Sequence, residues 1–172
     1  MSKIKISKAD LSDIDSLSEL ASITFFESYH KQIDNNRIKN YIASNFSPDH
    51  FKSKIESSNT CCYLATYEET IAGFMQLKFD YFHDKLEEIS PLEIERIYIL
   101  NKYQGKGLGK ALINVAINTA IENKYEAITL AVWEENKKAI SFYNYLGFKT
   151  YSNIGFPLID IIYNDIAMIK YL

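Results

Sequence analysis

Along the chain, apolar residues recur at two different periods, and the changes from one period to the other divide it into elements. Ile4 and Ile6 alternate with lysines, which predicts a short half-buried strand. Ile14, Leu17, Ala21 and Phe25 then recur at helical spacing, with Asp10 or Ser12 placed to cap the helix they mark. Residues 34–57 are polar and helix-prone, and NFSP at 45–48 breaks them into two short helices. CCYLATY (61–67) and IAGFMQLKF (71–79) read as paired strands. The turn between them, YEET (67–70), lacks the Asn-Gly signal that would fix its register. A loop-like acidic stretch over 80–91 leads into LEIERIYIL (92–100), a β-branched and aromatic run that predicts a strand.

The second half continues in the same way. Leu108, Leu112, Val115 and Thr119 mark one face of a helix reaching about Asn123. AITLAVW (127–133) is almost continuously apolar, as a strand buried on both faces requires. Ala139, Ile140, Tyr143 and Leu146 mark another helix, and Gly147 stands where a left-handed C-terminal cap is expected. Two closing strands are expected near 148–155 and 160–171, with Phe156-Pro157 as the break between them. Repeats and linkers are absent. The order predicts one mixed α/β domain over 1–172, built around a single sheet.

Composition narrows the function more than the fold. Of 172 residues, 47% are hydrophobic and 24% charged, the balance of an ordinary globular chain. A net charge of −3 argues against nucleic acid or an anionic membrane as partner. No apolar run approaches the roughly 20 residues of a membrane span. MSKIKISKAD at the N-terminus has no signal-peptide core, so a cytoplasmic location is expected. Cys61 and Cys62 are neighbours, unsuited to an ordinary disulfide, and read as small core residues. His30, His50 and His83 show no ligand spacing, so no metal is expected.

The most informative stretch is YQGKGLGKAL (103–112), with three glycines on alternate positions before a helix. Glycines there let backbone amides approach a phosphate closely. The Walker loop does not fit, because Gln104 stands where its first glycine belongs and Ala111 replaces its hydroxyl. The dinucleotide fingerprint fails too, since Lys110 occupies its third glycine. What fits is Q-x-x-G-x-G over Gln104, Gly105, Lys106, Gly107, Leu108 and Gly109, between a strand and a helix.

This motif resembles that of the Gcn5-related N-acetyltransferase family, [RQ]-x-x-G-x-[GA] in the same setting. ENKKAISFYNYLGF (135–148) is similar to the family's N-x-x-A-x-x-F-Y-x-x-x-G-F segment, and the element order agrees. The resemblance implies a mixed, mostly antiparallel sheet flanked by helices, with a splay between the fourth and fifth strands. It implies acetyl-CoA as co-substrate and no metal. The amides of 104–109, at the positive end of a helix dipole, suit the pyrophosphate of coenzyme A. Lys106 and Lys110 either add charge there or are solvated surface lysines. The backbone of Ile97, Tyr98 and Ile99 would pair with the pantetheine arm, and Asn136 would contact pantetheine or pyrophosphate, a role compatible with a plain N-cap. Tyr143 matches the family's tyrosine near the coenzyme sulfur, while Phe142 and Phe148 read as core.

Acetyl transfer to an amine needs a base, because an alkylamine with a pKa of about 10.4 is almost wholly charged at neutral pH. It also needs a donor for the developing oxyanion, which in the family is a backbone amide near Ile97 or Tyr98. The departing thiolate needs an acid, and Tyr143 is the candidate. Glu93 and Glu95 lie two apart on the pre-loop strand and are expected on one face, with Ile94 and Arg96 on the other. Glu95 matches the glutamate of polyamine acetyltransferases and Glu93 that of histone-type members. The remaining alternative is a structural pair with Arg96 or lysines, with deprotonation by solvent.

FDYFHDKLEEISPLEIE (79–95) carries Asp80, Asp84, Glu87, Glu88, Glu93 and Glu95 against Lys85. Such a rim either attracts a polycation or is a solvated acidic loop. TFFESYHK (24–31), together with the segments above, resembles the bacterial Pai-type spermidine/spermine acetyltransferases. That likeness implies a polyamine acceptor, with Phe26 and Tyr29 lining its site beside Glu95, or else in packing roles. The alternatives are a protein N-terminal or lysine acetyltransferase, and a non-catalytic regulator sensing acyl-CoA or polyamine. The apolar final strand, IAMIKYL (166–172), permits a homodimer by sheet extension or strand exchange.

Overall fold

The computed structural model describes residues 3–86, 89–158 and 161–172. Among these residues seven strands and five α-helices carry the fold: β1 (Ile4–Lys8), α1 (Ile14–Tyr29), α2 (Asn35–Asn45), α3 (Pro48–Glu56), β2 (Thr60–Tyr67), β3 (Thr70–Lys78), β4 (Leu92–Ile99), α4 (Leu108–Glu122), β5 (Ala127–Trp133), α5 (Lys137–Tyr145), β6 (Lys149–Leu158) and β7 (Ile161–Tyr171). They fall into two compact units, one of residues 1–77 and 96–115, the other of 78–95 and 116–172. Strand order is β1-β2-β3-β4 in the first and β4-β5-β7-β6 in the second, with β4 common to both.

In the first unit, Asp10 opens the chain's first helical segment with a reciprocal cap: its carboxylate accepts from the Ser12 amide at 2.8 Å, and Asp13 accepts from the Asp10 amide at 3.0 Å. A short 3-10 turn follows before α1. Leu17, Leu20, Ala21 and Phe25 form the buried stripe of α1. Asp34 caps α2, and Ser47 with Pro48 starts α3, so the NFSP break works as expected. An aromatic core joins Phe25, Phe46, Phe51, Phe74 and Tyr98, with Phe74 and Tyr98 stacked at 5.8 Å. The β2–β3 turn is made by Glu68 and Glu69, both at positive φ (46° and 67°), where Asn-Gly would be easier. Its support is tertiary: the Glu68 amide donates to the Lys3 carbonyl at 2.8 Å, and Lys3 Nζ lies 2.6 Å from the Glu68 carboxylate.

In the second unit, β4 and β5 run parallel over three residue pairs only, Leu92–Ile128, Glu93–Thr129 and Ile94–Leu130. Both strands run on beyond that ladder, β4 to Ile99 and β5 to Trp133. β5 instead continues its pairing antiparallel with β7, down to Trp133–Asp165. Two expectations about the closing strands need correction. β6 runs straight through Phe156-Pro157, with Pro157 opposite Ile162. Proline is tolerated there because β6 is the edge strand and its missing N–H leaves no partner waiting. The expected start of the last strand at residue 160 lies outside the described residues. β7 is flanked by β5 and β6, so IAMIKYL has no open edge and sheet extension would have to use β6. On α4 the buried stripe is Leu108, Leu112, Ile113, Ala116, Thr119 and Ala120, with Val115 only half-buried. Cys61 and Cys62 are both buried and unbridged. No helix among the described residues is long and apolar enough to cross a membrane.

Candidate active site

The glycine loop lies in the first unit, between β4 and α4. Leu108 is buried and anchors the helix, while Gln104, Gly105, Lys106 and Gly107 are exposed and Gly109 half-buried. The Ala111 amide is the first to bond within the helix, to the Gly107 carbonyl at 3.0 Å. The amides of Leu108, Gly109 and Lys110 therefore have no intrahelical acceptor and sit at the positive end of the helix dipole. Gly105 and Gly107 hold φ of +78° and +91°, a backbone that other residues rarely adopt. A side chain at Gly105 would meet nothing within 4 Å, and one at Gly107 only the Ile4 methyl at 3.4 Å. The glycines thus serve the backbone's path, and the space over them is open. That is the form a diphosphate cradle takes.

The loop's own side chains hold its entrance. Gln104 Nε2 donates to the Asn101 side chain at 3.0 Å and the Ile99 carbonyl at 3.3 Å. The Asn101 amide donates to Glu27 of α1 at 2.8 Å, a contact between residues 74 apart. Nothing in the sequence signalled Glu27, because its partner is a backbone group brought to it only by folding. Lys106 lies over the rings of Tyr67 (4.6 Å) and Tyr103 (5.3 Å), which holds its charge beside the loop, and Lys110 is exposed. On β4, the half-buried Tyr98 packs its ring on Phe25 and Phe74 of the aromatic core, which anchors the backbone of Ile97, Tyr98 and Ile99. Gly73 of β3 lies so close that an added Cβ would be 2.8 Å from the Tyr98 carbonyl oxygen. Arg96 lies on the Phe46 ring at 4.7 Å, and its Nη atoms donate to the Tyr41 hydroxyl at 3.3 Å. On α1, Phe26 is exposed and stacked on His30, whereas Tyr29 is half-buried against Phe25 at 4.6 Å.

The second unit holds the acid–base candidates. Tyr143 on α5 is buried, with its ring against Phe142 and Phe148 at 5.4 and 5.8 Å. Phe148 is fully buried. Asn136 is the N-cap of α5, its side-chain oxygen accepting from the Ala139 amide at 3.1 Å. That cap fixes the end of the helix that carries Tyr143.

Glu93 is mostly buried, its side chain 17% exposed, with Lys78 Nζ 4.0 Å from the carboxylate. Tyr81 stands beside it. Burial, then Tyr151, then the negative charge of Glu93 push the Tyr81 phenol well above its ordinary pKa, so it remains a neutral donor. The Thr129 hydroxyl bonds the Met168 carbonyl at 2.9 Å and meets the Tyr151 hydroxyl at 3.3 Å. Ile94 is buried opposite Leu130, on the other face from Glu93. Glu95 is half-buried on the same strand. Of the acidic loop, Leu86 packs on Ala127 and Ile169, and His83 on Tyr151, while Glu87 and Glu88 lie outside the described residues. Lys78 of β3 is the lysine that the structural-pair alternative left unnamed, whereas Arg96 turns to Tyr41 and Phe46. A separate open cleft of about 610 Å³, lined by Ile89, Ile121, Tyr125 and Tyr171 among others, contains none of the expected site residues.

Residues 15–148 match the model of the acetyltransferase (GNAT) family. The chain is 28% identical over 174 residues to an uncharacterised N-acetyltransferase of Lactobacillus delbrueckii subsp. lactis, covering 100% of this chain and 99% of that protein. Over 107 residues it is 29% identical to the spermine/spermidine N(1)-acetyltransferase of Bacillus subtilis strain 168, covering 59% of this chain and 70% of that one. Among solved structures, a PaiA N-acetyltransferase from Thermoplasma acidophilum in complex with coenzyme A superposes with a TM-score of 0.83 at 24% identity, over 100% of both chains.

Proposed function

The chain belongs to the acetyltransferase (GNAT) family and is an N-acetyltransferase that takes its acetyl group from acetyl-CoA; from that premise we propose that its acceptor is a primary amine of a polyamine such as spermidine or spermine. The observation that carries this reading is the carboxylate Glu93, mostly buried on the strand that leads into the glycine loop, with Glu95 two residues on. A polycationic acceptor presents ammonium groups to such carboxylates, and one of those ammonium groups must lose its proton before it can attack. The relative from Bacillus subtilis supports the same acceptor class.

In this reading the amides of 108–110 and the glycine backbone bind the pyrophosphate, with Lys106 adding charge. Backbone groups of Ile97, Tyr98 and Ile99 align the pantetheine arm, and an amide near Ile97 or Tyr98 donates to the carbonyl oxygen as it becomes negative. Asn136 presents the start of α5. Glu95 or Glu93 takes the proton from the amine, directly or through a water, and the free amine attacks the thioester carbon. The C–S bond then breaks, and the Tyr143 hydroxyl gives its proton to the departing sulfur. Phe26 and Tyr29 offer aromatic surface to the methylenes of the acceptor. The reaction is placed in the cytoplasm, in one domain over 1–172.

The test is release of free coenzyme A from acetyl-CoA by purified protein at slightly alkaline pH, with and without spermidine. Strong spermidine-dependent release is expected. Binding of acetyl-CoA without stimulation by any polyamine would overturn the acceptor and leave the transferase. Glu95→Gln and Glu93→Gln, compared over pH, assign the base: the variant whose pH–rate profile moves carries it.

A further inference from the structure

Residues opposite one another in a ladder share a face, and so do alternate residues along each strand. Glu93–Thr129, Ala131–Ala167, Trp133–Asp165 and Asp165–Ile154 are such pairs, so Glu93, Ala131, Trp133 and Asp165 all stand on one face of the sheet. Along that face the side chains are small between the two acids. Ala131 is exposed, whereas Thr129 and Ala167 beside it are 2% and 1% exposed. Thr129 is covered by Tyr151, so the part of the face open to a ligand lies at Ala131, between Glu93 and Asp165.

The far end is built for an ammonium group. Asp165 is half-buried, yet its carboxylate accepts no hydrogen bond and forms no ion pair among the described residues. Its charged neighbour is Glu134, a like charge already held by the Asn164 side-chain amide at 2.8 Å. The nearby Lys137 ammonium is directed to the Glu134 carbonyl, at 2.6 Å. Trp133 and Tyr163 set their rings edge to face, 6.3 Å apart at 89°, next to Asp165 on the same strands. Carboxylate and aromatic rings together are the usual surroundings of a bound ammonium and its methylenes. Four residues along β5 and two strand spacings separate the backbone positions of Glu93 and Asp165, roughly 16 Å. An extended linear triamine or tetraamine, held by carboxylates that lean inward from those positions, spans that distance.

We propose that Asp165 is a specificity-determining residue of the acceptor site, binding the distal ammonium of a linear polyamine whose other terminal amine is acetylated. This rests on the polyamine reading above. It predicts selection for chains with two or more well-separated amines over monoamines of the same length.

The experiment compares the wild-type chain with Asp165→Asn and Asp165→Glu, using spermine, spermidine and a linear alkyl monoamine of matched length. Asp165→Asn is expected to raise the spermine KM about tenfold, with the loss in KM rather than kcat, and to erase most of the preference for spermine over the monoamine. Asp165→Glu should restore part of it. An unchanged spermine KM in Asp165→Asn, with wild-type spermine turnover intact, overturns the role of Asp165 alone. Equal losses for spermine and the monoamine, or a matching rise in the acetyl-CoA KM, show a structural defect and overturn it too. Wild-type protein that binds acetyl-CoA but acetylates none of the polyamines overturns this inference together with the acceptor reading on which it rests.

Discussion

Gly73→Ala tests the coenzyme-arm assignment through a residue that itself makes no proposed contact with ligand. A Cβ at Gly73 falls 2.8 Å from the Tyr98 carbonyl oxygen, 3.0 Å from Ile99 Cγ1 and 3.4 Å from Ile99 Cα. Relief to an ordinary contact requires β3 and β4 to separate locally by about 0.6 Å, since the nearest atom is backbone and cannot rotate away. The adjacent bond from the Leu100 amide to the Ala72 carbonyl, now 2.9 Å, must lengthen with it. Overpacking of this kind costs about 1–3 kcal/mol. Alanine recovers roughly 0.5–1 kcal/mol of that by restricting the unfolded chain. The net loss, about 1–2 kcal/mol, lowers Tm by about 3–8 °C in a chain of this size. Tyr98 is the middle one of the three residues whose backbone is assigned to the pantetheine arm, so the same displacement should raise the acetyl-CoA KM by about three- to tenfold. Thermal melting and steady-state kinetics on one preparation measure both. A lowered Tm with an unchanged KM would falsify the assignment of 97–99 to the coenzyme arm. An unchanged Tm would refute the packing argument.

Three further substitutions separate the remaining roles. Gly107→Ala meets only the Ile4 methyl at 3.4 Å, so its penalty is the backbone strain of φ +91°, about 1–2 kcal/mol; the free loop escapes that strain by leaving the cradle shape, binding must restore it, and the acetyl-CoA KM should rise by about five- to thirtyfold. Tyr143→Phe keeps the ring contacts with Phe142 and Phe148 and should lower kcat by roughly 10²-fold; a loss below about threefold would leave Tyr143 a packing residue. Burial, and then the charge of Glu134, raise the Asp165 pKa from 3.8 to about 6. Because the folded value is the higher one, ionised Asp165 is what the fold disfavours: its contribution to stability is complete below about pH 4 and is lost as pH rises through about 6. Asp165→Asn should therefore raise Tm by about 3 °C at pH 7.5 and by progressively less towards pH 4. A gain that is the same at every pH would show that ionisation of Asp165 is not the cause.

Local chemistry made much of the architecture readable in advance. Asp10 caps the 3-10 turn that opens α1, the NFSP break falls between α2 and α3, Gly147 takes φ +91° after α5, and periodicity and composition place the other elements to within a few residues except the end of β6. The glycine loop is legible for the same reason. Positive φ at Gly105 and Gly107 is a property of the residues themselves, and the helix that follows is set by its own apolar face. Features that depend on a partner far along the chain were not legible. The Glu68-Glu69 turn is secured by Lys3, Glu27 holds the Asn101 amide, and Lys78 stands by Glu93. β6 passes through Pro157 only because it is the edge strand, and the final strand is closed to sheet extension only because it lies between two others. Hydrophobic period and capping act over a few residues and leave their mark in the sequence. Strand order, register and the partners of a buried carboxylate are settled by contacts between distant segments, so Asp165 reads as one more polar residue until β5 and β7 bring it beside Trp133 and Glu134.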